Sequence, residues 1–550
     1  MMMNTNPQRI IDRTLELVSI PSVVGTAAER HVPEAIKEML SALPYFQAHP
    51  ENLHLVETGD DLGRVSLLAF VRGQKDRNPR TAILIGHTDT VGISDYGDFQ
   101  DLATKPQELA QRLLQEVLPP KAEADLRSGD YLFGRGVLDM KSGVAMVMEV
   151  LDLLSQDPAS LSGNLCAAFV CDEEGNSSGM LSCVPALVAL KDKENLQYVF
   201  ALDTDYTSER TLEDPHRYLY AGTIGKLMPS FFIVGKETHV GDPFGGLDAN
   251  ELAAKLVLDI NLNPELSDFA DRELTVPPVT LRLQDLKPEY SVQTNRETHL
   301  YFNYATHDST PAEVLTKLKT LAESSFSSIL AKLQSSYDQF TRRMNLPQKT
   351  LPWKARVLTY EEVFRQTQKK HPDLGAILES YALELAKDST QDEREKSLAL
   401  VRRLHSLWGD KDPVILLYFS PPYYPHIAVK GTTAEERRLL RALEEIVKKS
   451  EEPNLALRKF YPYISDLSYF ALPEDAAVEA LKQNLPGFGV TYTLPLDDIK
   501  KLDLPVTNIG PYGYDAHKYT ERIEVDYSFH KVPSMVLDTV LAMLKNEENE

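Results

Sequence analysis

The chain has 550 residues, of which 43% are hydrophobic and 25% are charged, and its formal net charge is −23. This length exceeds what one hydrophobic core organises, so we expect two or more domains. The acidic balance argues against nucleic acid and anionic membranes as partners, and no apolar run approaches the ~18 residues that span a bilayer. Three scattered cysteines and an N-terminal segment without an apolar signal region predict a soluble, cytoplasmic protein.

The first 215 residues alternate between helical and strand patterns. Residues 7–43 carry apolar side chains at helical spacing, and a helix is predicted to begin after Gly143. Short β-rich runs lie between these helices, at 53–57, 65–71, 81–86, 164–170 and 198–203. This alternation is typical of an α/β layer structure with a mixed, mostly parallel sheet between helices.

The pattern changes near residue 216. Strands such as "LMPSFFIVG", "VTLRLQ" and "THLYFNY" are followed by long, charged helical stretches, which is typical of an α+β domain. From residue 428 the chain returns to helices and short strands. We therefore predict a first domain formed by residues 1–215 and 428–550, interrupted by an inserted α+β domain at 216–427.

Polar side chains follow several of the apolar runs, where ligands bind in open α/β sheets. In "AILIGHTDTV", His87 ends a strand and Asp89 lies two residues later, so both side chains point to one face of extended chain. The Asp89 carboxylate is placed to accept the second N–H of a metal-binding His87. The alternative is a capped histidine in a loop.

Two further stretches bring carboxylates to similar positions. Asp139 lies among glycines in "GRGVLDMKSG" and precedes a helix, so it is either a ligand or a helix N-cap. In "FVCDEEGN", Asp172, Glu173 and Glu174 follow a buried strand. A metal pair would supply the missing positive charge, with one glutamate as ligand and its neighbour as general base. The alternative is a solvated acidic loop.

The fourth and fifth stretches complete the set. "FALDTDYTS" carries Asp203 and Asp205, and "GPYGYDAHKYTE" carries His517 in a glycine-rich loop. Histidine, aspartate and glutamate are the usual nitrogen and oxygen ligands of zinc. Because five coincidences at strand ends are improbable, the combined pattern favours a metal site over the separate structural explanations.

In combination these stretches resemble the co-catalytic zinc aminoacylase and carboxypeptidase family, which includes succinyl-diaminopimelate desuccinylase and bacterial di- and tripeptidases. The matching pieces run in the family's order from residue 86 to 521: "GHTDTV", "GRGVLDMKSG", "DEEG", "DYTS", "GKETHVGDPFGGLDAN" and "GPYGYDAHKYTE". The resemblance implies that two divalent metals, zinc or else cobalt or manganese, are bound by five residues: His87, Asp139 as the bridge, Glu174, Asp205 and His517.

The same resemblance assigns the remaining roles. Glu173 would be the general base, and Asp89 would orient His87. "DYTS" aligns with the family's "EPTS", so we choose Asp205 as the ligand and keep Asp203 as the alternative. The inserted domain would be the family's lid, with His239 as the lid histidine that stabilises the oxyanion.

The sequence departs from the family in the predicted lid. Many members carry an arginine on a later lid strand, where it holds the substrate's carboxylate. Tyr304 or Ala305 stands at that place here, so Arg296 or another group would have to substitute. The large insertion implies either a monomer with an enlarged lid or a homodimer through the lid.

The resemblance implies hydrolysis of an amide bond in a small peptide or N-acyl amino acid. The length of the chain and the stretch "YAGTIGKLMPSFFIVGKETHVG" most resemble the long bacterial arginine-utilisation members, which suggests a role in arginine catabolism. The alternatives are a hydrolase of a cyclic amide or amidine without a carboxylate, and a non-catalytic binding protein on the same fold.

Overall fold

The computed structural model describes residues 5–76, 78–388 and 390–545. The chain divides into two compact units. The first unit contains the residues up to Thr223, Ile427–Leu472 and the residues from Pro495 onward, and the second contains Ile224–His426 and Pro473–Leu494. The unit boundaries lie at 223/224 and 426/427, beside the predicted 215/216 and 427/428, and residues 473–494 join the second unit. Within the described ranges, no helix is long and apolar enough to cross a membrane.

An eight-stranded sheet forms the centre of the first unit. Its strands, in spatial order, are Leu53–Glu57, Val65–Arg72, Asn164–Val170, Arg80–His87, Gln197–Asp203, Val506–Asn508, Arg217–Tyr220 and Leu455–Arg458. Four of the seven neighbouring pairs are parallel. The predicted mixed, mostly parallel sheet is therefore confirmed.

The helices of the first unit are Pro7–Ser19, His31–Ser41, Pro44–Ala48, Pro106–Leu113, Pro120–Ser128, Lys141–Gln156, Ser178–Glu194, Ala434–Lys449, Leu496–Leu502 and Val532–Leu544. The central strands Arg80–His87 and Asn164–Val170 are buried along their whole length, as is nearly all of Lys141–Gln156. Continuous apolar runs, rather than alternating ones, are what a sheet covered on both faces requires. A small sheet joins Tyr131–Phe133, Gly513–Tyr514 and Arg522–Glu524.

The register brings several strand ends to one edge of the large sheet. His87 pairs with Val170, and Asp203 pairs with both Ile85 and Asn508, all between parallel strands. The loops that follow Arg80–His87, Asn164–Val170 and Gln197–Asp203 therefore leave the sheet side by side. Three of the five polar stretches that the sequence singled out begin at this edge: those of His87, of residues 172–174, and of Asp203 and Asp205.

The second unit contains a mostly antiparallel sheet in the order Val279–Asp285, Glu297–Thr306, Pro229–Val234, Val414–Phe419 and Val357–Thr359, with Gly225–Leu227 also paired to Glu297–Thr306. Its helices are Ala249–Ile260, Pro311–Arg343, Tyr360–Gln368, Leu374–Ala386, Glu393–Trp408 and Asp475–Asn484. The predicted α+β character of the insertion is confirmed.

Candidate metal centre

Five of the predicted residues form two groups in the first unit. His87, Asp139 and Asp205 form one group, and Asp139, Glu174 and His517 form the other. In each group, one nitrogen or oxygen atom from every residue lies within 4.8 Å of the others. Asp139 belongs to both groups, as a bridging carboxylate must.

Each oxygen of Asp139 faces a different histidine. His87 Nε2 lies 2.9 Å from Asp139 Oδ1, and His517 Nε2 lies 3.0 Å from Oδ2. His517 Nε2 also lies 2.8 Å from Glu174 Oε1. The donors thus converge on two neighbouring points, one on each side of the shared carboxylate.

Asp139 is held by the loop that precedes helix Lys141–Gln156. Gly136 has φ of 80°, and a Cβ there would approach Thr90 Cγ2 to 2.9 Å, so the loop needs glycine at this position. The N-cap position of the helix is occupied by Met140, which has no capping side chain. The alternative interpretation of Asp139 as a helix cap is therefore wrong, and its carboxylate faces the two histidines instead.

Asp89 acts differently from the sequence expectation. His87 Nδ1 lies 3.1 Å from the backbone carbonyl of Asp89 but 3.7 Å from its carboxylate. The carboxylate instead accepts the backbone N–H groups of Glu173 and Glu174, each at 3.1 Å. Asp89 therefore fixes His87 through its main chain and the Glu173–Glu174 segment through its side chain.

The two aspartates of the fourth stretch, Asp203 and Asp205, have different hydrogen-bond partners. Asp205 Oδ1 accepts the N–H of Tyr206 at 2.7 Å, and its Oδ2 accepts the hydroxyl of Tyr461 at 2.8 Å. Asp203 Oδ2 accepts the hydroxyl of Ser465 at 2.7 Å. Among the described residues, Asp205 and not Asp203 is grouped with His87 and Asp139.

The crowded charges shift the protonation of the whole centre. Hydrogen bonds to Asp139 and Glu174 raise the pKa of His517 to about 10. Burial opposes ionisation of Asp139, but hydrogen bonds from His517 and His87 hold its pKa below the ordinary value. Burial raises the pKa of Glu173 well above its ordinary value; the charge of His87 opposes this shift, and nearby carboxylates add to it. Cations at this centre would relieve the same repulsion between its carboxylates.

A pair of divalent cations fits these residues. The five side chains offer only imidazole nitrogens and carboxylate oxygens, which zinc, cobalt and manganese all accept. Among the described residues, the side chains that pair with Asp139 and Glu174 are histidines, and Asp205 accepts hydrogen bonds from Tyr206 and Tyr461, so no lysine or arginine forms an ion pair with these three carboxylates. The donor set is thus suited to metal rather than to an internal ion pair.

Several residues that support the centre were not assigned from the sequence. Glu521, the last residue of the stretch "GPYGYDAHKYTE", accepts the N–H groups of Gly136 and Leu138 at 2.8 and 3.2 Å and pairs with Arg135 at 2.6 Å. Asp466 is 2% exposed, and its carboxylate contributes to the raised pKa of Glu173. Glu521 sits four residues after a predicted ligand, which was the one local signal; Asp466 had none.

The residues predicted for the lid belong to the second unit. His239 lies in an exposed turn, where its Nδ1 accepts the N–H of Gly241 at 3.0 Å. Tyr304 and Ala305 are buried, with 1% and 2% exposure. Arg296 is half-exposed, and its Nε lies 3.8 Å from Glu237.

The chain resembles known proteins over nearly its whole length. The model of the peptidase family M20/M25/M40 matches residues 83–527. The chain is 33% identical to Protein RocB of Bacillus subtilis over 98% of this chain and 96% of that protein. It is 34% identical to Uncharacterized protein YqjN of the same organism, over 97% and 96%.

The fold is also found in solved structures. A tripeptidase from Staphylococcus aureus matches with a TM-score of 0.50 and 14% identity, covering 98% of this chain and all of that one. This likeness concerns the fold, whereas the family match spans every residue of the two ligand groups. The chain belongs to the peptidase family M20/M25/M40.

Proposed function

We propose that this protein is a metal-dependent hydrolase that cleaves an amide bond in a small peptide or an N-acyl amino acid. The observation that carries this proposal is the shared Asp139, which joins two ligand groups beside the adjacent pair Glu173 and Glu174. Membership of a peptidase family supports hydrolysis of a C–N bond.

Two divalent ions, in our proposal zinc, would be held by His87 and Asp205 on one side of Asp139 and by Glu174 and His517 on the other. When bound, such a pair lowers the pKa of a water molecule and polarises a carbonyl oxygen. The donor set accepts cobalt and manganese as well, so availability decides the native metal.

Glu173 is the general base of the proposed reaction. It follows Asp172 at the end of a buried strand, and its backbone N–H is fixed by Asp89. The Glu173 carboxylate takes a proton from the attacking water and then delivers it to the leaving amine.

The neighbouring residues position this chemistry. The main-chain carbonyl of Asp89 fixes the ring of His87, so that Nε2 is directed at the centre. His239 remains our proposed donor to the oxyanion that develops on the substrate, on the strength of the family pattern around it. On the same basis we propose that the first unit is catalytic and the second is the lid.

Two observations bear on the identity of the substrate, and each favours a different class of compound. The similarity to long arginine-utilisation proteins supports a substrate that carries arginine or ornithine, in arginine catabolism. The buried Tyr304 and Ala305, where the family has an arginine, favour a second candidate: a cyclic amide or amidine without a carboxylate. Paired substrates with and without a free α-carboxylate distinguish the two.

The experiment that tests the proposal couples metal content to turnover. Protein purified without chelator is analysed for metal per chain, and amine release is followed on N-acyl amino acids and dipeptides, including arginine and ornithine derivatives. About two metals and turnover that a chelator abolishes are expected. Two metals without turnover on any substrate would favour a non-catalytic binding protein, and failure to bind metal would overturn the ligand assignment.

We propose a homodimer through the second unit, with a monomer as the alternative. Strand Val279–Asp285 lies at an edge of the sheet and exposes Val279, Leu281 and Leu283 by 38%, 51% and 50%. Apolar side chains on an open edge strand favour pairing with another strand. Sedimentation of the wild type and of Leu281→Lys decides between the two states.

Three free, buried cysteines support a reducing compartment, the cytoplasm.

A further inference from the structure

Arg64 occupies the middle of a buried network in the first unit. It directly precedes strand Val65–Arg72 and is 7% exposed. Its Nε donates to Asp60 at 2.7 Å, and its Nη1 contacts Glu29 at 3.1 Å and Asp172 at 2.5 Å. Its Nη2 donates to the hydroxyl of Ser178 at 3.3 Å. One guanidinium thus contacts three carboxylates and a hydroxyl at once.

Two of the residues that Arg64 contacts, Asp172 and Ser178, form the ends of the loop that carries Glu173 and Glu174. The loop turns around Asp172, which has φ of 65°. The backbone carbonyl of Asp172 accepts from Gly175 and Ser177, at 3.2 and 2.7 Å, and its Oδ2 accepts from the N–H of Ser178 at 3.0 Å. The remaining oxygen, Oδ1, is the one that faces Arg64.

The loop is also too tight to tolerate a shift of Asp172. A Cβ on Gly175 would lie 2.4 Å from Asp172 Oδ1, so backbone and carboxylate are in close contact. Between these ends, the Asp89 carboxylate holds the N–H groups of Glu173 and Glu174. Fixing Asp172 and Ser178 therefore fixes the backbone from which both glutamates project.

We propose that Arg64 is a positioning residue that sets the orientation of Glu173 and Glu174. This inference rests on the proposed function, because it concerns the proposed base and one proposed metal ligand. It also explains the third carboxylate of the acidic run: Asp172 is the residue through which the loop is tied to the guanidinium.

The geometry requires arginine rather than positive charge alone. A planar guanidinium has five donors in a fixed fork, whereas a lysine ammonium is a single point of charge on a flexible stem. Arg64 uses all three nitrogens, on partners from three different segments of the chain. A lysine would keep the charge opposite Asp172 and lose the simultaneous hold on Ser178.

Variants Arg64→Lys and Arg64→Met test this proposal, with Arg13→Met as the matched control. Arg13 bridges Glu149 and Asp152 at 3.1 and 2.7 Å. This ion network is comparable, but its carboxylates belong to helix Lys141–Gln156 and not to the loop of Glu173 and Glu174. For each protein, kcat, KM, metal bound per chain and thermal midpoint are measured.

We expect kcat of Arg64→Met to fall ~100-fold, because a displacement of about 1 Å in a reacting group has an effect of this size. Arg64→Lys should lose roughly 10-fold, on the same argument with a smaller displacement. KM should change little, and the affinity for one of the two metals should fall ~10–100-fold, as for other residues that hold a ligand in place. Arg13→Met should lower the thermal midpoint and leave kcat and both metals unchanged.

Several outcomes would overturn the proposal. Wild-type kcat and metal affinity in Arg64→Met would do so. A loss of kcat in Arg64→Met that is no larger than its fraction of unfolded protein under the assay conditions would do so as well. If Arg64→Met fails to fold, Arg64→Lys and Ser178→Ala decide by the same measurements. If the wild type has no turnover at all, the proposed function fails, and the metal affinities alone still test the role of Arg64.

Discussion

Tyr461 donates a hydrogen bond to Oδ2 of Asp205 at 2.8 Å, across 256 residues of sequence. The tyrosine is fully buried, and the same hydroxyl lies 2.8 Å from the carbonyl of Tyr206. A ligand carboxylate whose second oxygen is held in this way is fixed before metal arrives.

Tyr461→Phe should therefore weaken metal binding at the group of His87, Asp139 and Asp205. We expect a loss of roughly 10–100-fold in affinity, measured by competition with a chromophoric chelator. Tyr463→Phe is the control, since its ring lies 5.4 Å from that of Tyr461 and, among the described residues, its hydroxyl makes no hydrogen bond to Asp205. Equal affinities in the two variants would contradict a role for the hydroxyl.

Glu173→Gln should abolish most turnover and keep the metals. General base catalysis contributes roughly 10²–10⁴-fold, so kcat should fall by that factor. Glu174→Gln is the matched variant, because it changes the neighbouring carboxylate, which belongs to a ligand group. Metal analysis should find two ions in Glu173→Gln and fewer in Glu174→Gln. Substantial turnover by Glu173→Gln would require another base.

Metal should stabilise the folded chain. Because both groups need residues that are distant in sequence, they form only in the folded state. A ligand at 100 times its dissociation constant then adds about 2.7 kcal/mol to the free energy of unfolding. His517→Ala should bind one ion fewer and show a smaller increase in thermal midpoint with added zinc. An increase equal to that of the wild type would argue that His517 is not a ligand.

Glu521→Gln should destabilise the first unit. Arg135 and Glu521 are both almost completely buried and lie 2.6 Å apart, so removing the negative charge leaves the guanidinium with Asp95 alone. Breaking a buried pair costs about 3 kcal/mol or more, which urea unfolding would detect. Asp95→Asn, at the more exposed end of the network, should cost about 1 kcal/mol or less. If Asp95→Asn were instead the more destabilising variant, the contact of Arg135 with Asp95 would be the more important one.

Asp268 should make the second unit sensitive to acid. Its carboxylate accepts the N–H groups of His307, Asp308 and Ser309, just before helix Pro311–Arg343. Burial opposes ionisation, but these hydrogen bonds and the Ser309 hydroxyl lower the pKa of Asp268 below its ordinary value.

The direction of this pH dependence follows from the lowered pKa. The contribution of Asp268 is complete above the carboxyl pKa of the unfolded chain, about 4, and is lost as pH falls through the lower value in the folded state. Asp268→Ala should cost about 1–3 kcal/mol at pH 7, measured by urea unfolding. The difference from the wild type should shrink in acid. A difference that stays constant with pH would exclude the ionised carboxylate as its source.

The sequence predicted those features that depend on local pattern. Alternating helices and strands indicated the layered fold, and parallel strands that end at one edge explain why His87 and the segment after Val170 come together. The acidic residues stood out because they follow apolar runs. All of these features are visible among residues that are close together in the sequence.

The missed features depend on contacts between distant segments. The role of Asp89 was assigned to its carboxylate, but that group is occupied by the two backbone N–H groups of Glu173 and Glu174, and the main-chain carbonyl contacts His87. Arg64 and Tyr461 precede or follow ordinary strands, and only the folded chain shows which carboxylates they reach. Residues 473–494 similarly belong to the second unit through packing that leaves no pattern in the sequence.

The first unit is built from three separate stretches of the chain, and this has a consequence for biosynthesis. Four of the five proposed ligands precede the second unit in the sequence, and His517 follows it. Domains generally fold as units while the ribosome extends the chain from its N-terminus. Both groups are therefore completed only after most of the second unit has been made, because Asp205 is held by Tyr461, the loop of Asp139 is held by Glu521, and His517 lies in the last stretch. Under the proposed function, metal loading is then a late event in maturation, and a prematurely ended chain lacks a complete centre.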